Sequence, residues 1–209
     1  MRRTATRAIV PAMLRWGAAA YALPGVLALV VADLWRNGSA FVHPEPWLVL
    51  DAPVRHLLSA LLGLAFGALV VAATRGAVAR FRWAQGLHAA LRPFARGMSP
   101  LTIVVVAGLS SFGEEMFFRG LLAPGIGIIP QALLFGAAHQ ITGSSRWVWV
   151  AWATVVGLSL GVMFQLTGSL FGPLLAHAMV NALNLAYLKS HDPEPRHGLG
   201  GLFRRERYP

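Results

Sequence analysis

SSFGEEMFFRG, residues 110–120, places two adjacent glutamates, Glu114 and Glu115, and then Arg119, inside an otherwise apolar run from Leu101 to Leu122. The surrounding chain has 209 residues, of which 56% are hydrophobic and only 12% charged, against about a quarter charged in an ordinary soluble domain. With a mean hydropathy of +0.58, this is the composition of a membrane protein. An ionisable side chain facing lipid costs about 2.5 to 3.5 kcal/mol even on insertion scales. The three groups must therefore face the interior of a bundle of helices.

Apolar windows at 16–35, 57–73, 101–122, 148–166 and 169–188 approach the length of about 20 residues that a bilayer core demands. A sixth, 126–141, is short and opens with glycine and proline; it is expected to be a spanning helix that starts near Pro130 and continues past His139. Nothing alternates with period two over about 10 residues, so a β-barrel is excluded. The expected fold is all-α, a polytopic helical membrane bundle of about six transmembrane helices.

The net charge of +10 suggests a nucleic-acid partner only until the cations are placed. Fifteen of the eighteen Lys and Arg fall in 1–15, in 74–98, at Arg146 and in 189–209, flanking the apolar windows. That is the bias of cytoplasmic loops meeting anionic lipid, so no nucleic acid is expected. It puts both termini in the cytoplasm of a multi-pass protein in a bacterial-type cell membrane. The basic start MRRTATR precedes an apolar run longer than a signal core, and the run ends at Trp35 without a clear small-x-small cleavage site, which argues for a retained first helix. In 74–98 the mixing of Arg, Trp and Leu up to Pro93 predicts an amphipathic helix on the cytoplasmic surface. The tail from Lys189, rich in Pro, Gly and Arg, is expected to be disordered. The resulting organisation is 1–99 with two spans and the basic loop, 100–188 as the core that carries the chemistry, and 189–209 as the tail. The absence of cysteine removes disulfides, thiolate metal ligands and a cysteine nucleophile together.

Within the core, Glu115 and Arg119 are spaced i, i+4 and predict a salt bridge. Glu114, rotated by about 100° on the helix, is free to point elsewhere. Two histidines also lie in apolar windows: His139, and His177, which has Asn181 four residues on. A lone buried histidine is usually a satisfied core residue, and a polar cluster can simply hold membrane helices together. Two histidines, an asparagine on the same helical face and a glutamate pair point instead to a site. Counted from the adjoining turns, Glu114, His139 and His177 each lie about 12 to 14 Å below one membrane face, which would bring them into one layer.

EEMFFRG, FGAAH and HAMVN resemble the three signatures of the CPBP intramembrane protease family, which includes type II CAAX prenyl endopeptidases and bacteriocin-processing proteins. Glu114, Glu115 and Arg119 match Glu-Glu-x-x-x-Arg, Phe135 and His139 match Phe-x-x-x-His, and His177 and Asn181 match His-x-x-x-Asn. The resemblance spans roughly residues 100–188 and implies a glutamate-dependent intramembrane endopeptidase acting on transmembrane or membrane-anchored proteins in contact with lipid. Glu114 would be the general base, His139 would help hold the water, and His177 and Asn181 would donate to the oxyanion. Glu115 and Arg119 would support Glu114, and Phe135 would pack. No metal or other cofactor is expected; the alternative is zinc on Glu114, His139 and His177. Ser169 reads as a helix N-cap, and Ser110 and Ser111 as small packing residues. A non-catalytic immunity or scaffold protein is the rival from another class.

The charge bias leaves the uncharged connections 123–129 and 167–168 outside, with the catalytic layer beneath them. A site opening outward suits the trimming of C-terminal sorting signals on exported proteins and resembles the myxosortase branch of the family. CAAX-type or bacteriocin-type processing on the cytosolic side is the alternative. The sidedness is tested by labelling: a single cysteine at Gly125 should react with a membrane-impermeant thiol reagent in intact cells, and one at Ser145 should not. The opposite pattern would invert the orientation.

Overall fold

The computed structural model describes residues 23–36 and 38–193. These residues form a helix at 23–36 (α1), then α2 (Ala52–Arg80), α3 (Arg82–Arg96), α4 (Pro100–Glu114), a π-helical segment (Glu115–Leu122), α5 (Ala123–Ile126), α6 (Ile128–Ala138), α7 (Arg146–Thr167) and α8 (Phe171–Ser190). Among them no strand forms; one antiparallel bridge joins Val42 to Ser169. The fold is an all-α polytopic membrane bundle.

Among the described residues four stretches are long and apolar enough to cross a bilayer: α2, the continuous Pro100–Ile126, α7 and α8. The window 126–141 yields only the 11 residues of α6, about 16 Å of helix against a hydrocarbon core of about 30 Å. It begins at Ile128 rather than near Pro130 and ends before His139. Gly127, at φ 93°, lets the chain reverse directly from α5 into α6. Of the first window, 16–22 lies outside the described residues. The tail beyond 193 lies outside them too, while Lys189 belongs to α8 and not to a tail.

The 74–98 segment divides in two. α2 carries on to Arg80, the chain breaks at extended Phe81, and α3 runs through Pro93 to Arg96. α3 is the amphipathic element expected: Ala84, Leu87, His88 and Ala95 are buried, while Trp83 and Phe94 stay exposed. It is strapped to the end of α8 by His88 Nε2 donating to the His191 carbonyl at 3.0 Å and by an Arg92–Asp192 ion pair at 2.5 Å.

Small residues set the helix crossings, as expected where lipid gives apolar side chains no reason to associate. α2 and α8 run parallel, with Gly63 against the backbone of Gly172 and Gly67 against Ala176. α6 and α7 run antiparallel: Ile128 lies beside Gly161, Gly136 beside Thr154, and His139 beside Trp149. The chain directions gather the cations Arg80, Arg82, Arg92, Arg96, Arg146 and Lys189 at one end of the bundle. The other end holds Arg36 and Arg55 with Asp33, Glu45 and Asp51, and is overlain by residues 38–48. There His43, Trp47 and Leu48 donate backbone hydrogen bonds to Gly168, Gln165 and Leu166. Gly168, at φ 72°, ends α7 in the left-handed conformation that this turn requires.

Because a Cβ on Gly172 would collide with the Ser59 carbonyl, Gly172→Ala should lower stability by about 1 to 3 kcal/mol. Gly76→Ala, on a helix position with no neighbour within 4 Å, should instead be neutral or stabilising by up to about 1 kcal/mol. Thermal unfolding of the two variants in the same detergent checks the contrast; equal melting temperatures would contradict the tight crossing.

Candidate active site

Glu114 is the last residue of α4, and Glu115 opens a π-helical segment of eight residues. The sequence predicted ordinary α-helix here. The wider π turn still pairs Glu115 with Arg119, Nη1 to Oε1 at 2.8 Å, with both side chains completely buried. A buried guanidinium needs more than one partner, and this one has three. Its Nη2 donates to the Gly157 carbonyl at 3.1 Å, and its plane lies 4.2 Å from the centre of the Phe135 ring. Gln131, also fully buried, donates to the same Gly157 carbonyl at 3.2 Å. From the far side, Arg36 of α1 donates to the Gly120 carbonyl at 2.6 Å and ties the π segment to the opposite end of the bundle.

Glu115 has a second partner. His177, near the start of α8, brings Nδ1 to 2.7 Å from the same Oε1 that takes Arg119. His139 stands where α6 ends, with Nδ1 2.8 Å from the Phe135 carbonyl and its ring 4.4 Å from that of Phe135. A carbonyl or an ionised carboxylate can only accept, so both rings carry hydrogen on Nδ1. Each ring therefore turns its Nε2 into the bundle. Both meet Glu114: its Oε2 lies 3.7 Å from His139 Nε2 and 3.8 Å from His177 Nε2. These gaps are too long for direct hydrogen bonds. One carboxylate and two ring nitrogens thus face a common space, and Glu114 Oε2 is buried with no hydrogen-bond partner.

Glu114, His139 and His177 are brought together, and Glu115, Arg119 and Phe135 form the wall behind them. Phe135 packs as expected and also supplies the carbonyl that orients His139. Asn181 lies one helical turn after His177, and its amide Nδ2 donates to Ser110 Oγ at 3.1 Å, one helical turn before Glu114. Ser110 is accordingly a hydrogen-bond partner, not filler. Ser169 is not the N-cap of α8, which is Leu170; its Oγ lies 2.8 Å from His56 Nδ1 and accepts from Phe171 N. Sequence reasoning missed Gln131, whose signal was a lone amide in IIPQALLF, and Trp149, whose ring centroid lies 5.7 Å from that of His139.

The depth also differs from the expected layer beneath 123–129. His139 follows all 11 residues of α6, about 16 Å from the Gly127 turn, and immediately precedes the loop to Arg146 at the cationic end. A cavity of about 450 Å³ beside Glu114 and His139 is bounded by Phe117, Phe118, Ala138, Gln140 and Trp149. Gln140 brings its wall to the start of that loop, and Pro24 of α1 and Gly113 complete it. The opposite end is closed by 38–48, with the Ala40 carbonyl pressed on Gly120.

Two imidazole nitrogens with anchored Nδ1 atoms and a carboxylate are, as chemistry, a zinc donor set. Among the described residues, however, no three His, Cys, Asp or Glu are arranged to hold a metal ion.

Residues 96–183, a segment that holds all three motifs, match the family described as type II CAAX prenyl endopeptidase Rce1-like. The chain is also 37% identical over 81 residues to the uncharacterised protein YpbD of Bacillus subtilis (strain 168), a stretch covering 39% of this chain and 42% of that protein. The chain thus spans less than half the length of this curated relative. No solved structure matches.

Removing Arg119 would leave the Glu115 carboxylate buried with only His177 beside it. Arg119→Ala should therefore cost about 3 to 5 kcal/mol of stability. It should lower the unfolding temperature in detergent far more than alanine at exposed Arg80; a variant that melts with the wild type would contradict the buried pair.

Proposed function

We propose that this chain is a glutamate-dependent intramembrane endopeptidase that cleaves membrane-anchored peptides presented at its cationic, cytosolic face. The observation that carries the reading is the convergence of Glu114 Oε2 with the Nε2 atoms of His139 and His177, 3.7 and 3.8 Å away. A carboxylate oxygen and two ring nitrogens too far apart to bond one another leave a gap that a water molecule can bridge, giving an O–H to Glu114 while an oxygen lone pair stays available for attack.

In the proposed reaction Glu114 takes a proton from this water as the oxygen bonds to the scissile carbonyl carbon. His139, its ring fixed by the Phe135 carbonyl, orients the same water. The oxyanion is met by the amide of Asn181, which has a second N–H besides the one given to Ser110, and by the Nε2–H of cationic His177, which enters and leaves the step with both ring protons. Glu114 then returns the proton to the leaving nitrogen as the C–N bond breaks. Arg119 holds Glu115, and Glu115 holds His177, so the support runs from the buried pair to the reacting atoms. No step passes through a metal.

Sidedness follows from the cavity and the charges together. The positive-inside bias assigns the end with α3 and Arg146 to the cytoplasm, and the cavity leads to that end. This favours CAAX-type or bacteriocin-type processing over the trimming of exported sorting signals, which needs a cleft entered from the 123–129 side.

Glu114→Gln keeps the shape of the side chain and removes the base. It should lower kcat by about 100-fold or more in a peptide-cleavage assay while leaving the melting temperature close to wild type; more than a tenth of the activity remaining would rule out a base role. Purified enzyme treated with a strong chelator and checked by elemental analysis should still cleave. Loss of activity restored specifically by zinc would instead make Glu114, His139 and His177 metal ligands.

A further inference from the structure

One cation stands at the mouth of the cleft with its charge unspent. Arg146 opens α7 and is solvent-exposed, yet its guanidinium is fixed: Nε donates to Gln140 Oε1 at 2.7 Å, and the group lies 4.8 Å from the centre of the Trp147 ring. Gln140 is held in turn, its Nε2 donating to the Ala137 carbonyl at 2.6 Å. Among the described residues no carboxylate pairs with Arg146, whereas Arg92 and Arg119 each have one. Using Nε for Gln140 leaves both Nη groups to present the two-pronged edge that matches a carboxylate.

The position of this edge gives it a use. A second cavity, of about 470 Å³, lies between α3 and the 140–146 loop, bounded by Ala90, Phe94, Gln140, Ile141, Thr142 and Arg146. Gln140 also bounds the cavity that holds Glu114 and His139, so the two spaces adjoin across the residue next to His139. A peptide laid past Glu114 and leaving toward the cytosolic face would pass Gln140 into the second cavity. Apart from Arg146, the charged groups of α3 and the loop do not bound that space. Its wall is mostly apolar, with one fixed cation.

We propose that Arg146, positioned by Gln140, is a specificity-determining residue that binds a carboxylate on the substrate peptide within a few residues of the scissile bond. The inference rests on the endopeptidase reading above. A lipid phosphate could in principle meet the same guanidinium. The peptide is favoured because the group is locked to the residue beside His139 and faces the cavity, whereas a lipid-seeking arginine needs neither constraint.

The test uses the full-length enzyme in phosphatidylcholine liposomes with a set of apolar membrane-anchored peptides. The peptides differ within four residues of the cleavage point by carrying Glu, Gln or Lys, or by ending in a free carboxylate or an amide. Wild type should prefer the carboxylate-bearing peptides by about tenfold or more in kcat/KM, the scale of one charged hydrogen-bonded contact, with the difference in KM. Arg146→Ala should abolish the preference, Gln140→Ala should reduce it, and Arg146→Glu should turn it toward the Lys peptides. Replacing a third of the lipid with phosphatidylglycerol should leave the wild-type ratio in place. Cleavage with a preference that the Arg146 variants do not alter overturns the carboxylate site alone. A preference that disappears in phosphatidylglycerol assigns Arg146 to lipid and overturns it as well. Failure of wild type to cleave any peptide in the set overturns the endopeptidase reading and this inference with it.

Discussion

The buried ion pair between Glu115 and Arg119 is the constraint on which the rest of the bundle depends. A guanidinium and a carboxylate taken fully out of water are tolerated only if their remaining hydrogen-bonding capacity is met nearby. Every helix of the core answers part of that demand. α7 offers the Gly157 carbonyl, α6 the face of Phe135 and the amide of Gln131, and α8 the ring of His177. Gly157 has no side chain because Phe135 and Arg119 occupy the space where a Cβ would be. The pair therefore fixes the relative positions of three helices, and those same helices carry the two histidines that face Glu114.

The arrangement separates two adjacent glutamates by role. Glu115 is completely buried and spends its Oε1 on Arg119 and His177, while Glu114 keeps some exposure and faces the Nε2 atoms of His139 and His177. One residue of offset on a helix produces this division, because the two side chains leave the axis in different directions. The π-helical turn begins between them, and such turns recur at functional sites, where they reset which side chains face one another.

Hydrolysis inside a bilayer needs water and a peptide to meet away from lipid. Here residues 38–48 overlie the end of the bundle holding Arg36 and Arg55, and the cavity beside Glu114 is bounded by Pro24 of α1 and by Gln140 of the loop that leads to α7. The short α6 makes this possible. A helix of full spanning length would carry His139 past the depth of Glu114, whereas 11 residues stop it level with the carboxylate. The same shortness brings Gln140 and Arg146 to the rim of the site.

Composition, cation placement and the three spaced motifs determined, from the sequence by itself, a helical membrane protein, the residues of its polar centre and the Glu115–Arg119 pair. These are local properties: hydropathy is summed along the chain, and an i, i+4 pair needs one helix only. What tertiary structure alone decided was the meeting of Glu114 with the two Nε2 atoms, the use of Ser110 by Asn181, and the roles of Gln131 and the Gly157 carbonyl. A backbone carbonyl has no signature in a sequence, and a lone glutamine in an apolar run shows its partner only when the facing helix is in place. The 126–141 window falls short of a span for a related reason. It is apolar throughout, but hydropathy does not record that the chain leaves the helix at His139 to give its ring, by way of the Phe135 carbonyl, to the space shared with Glu114.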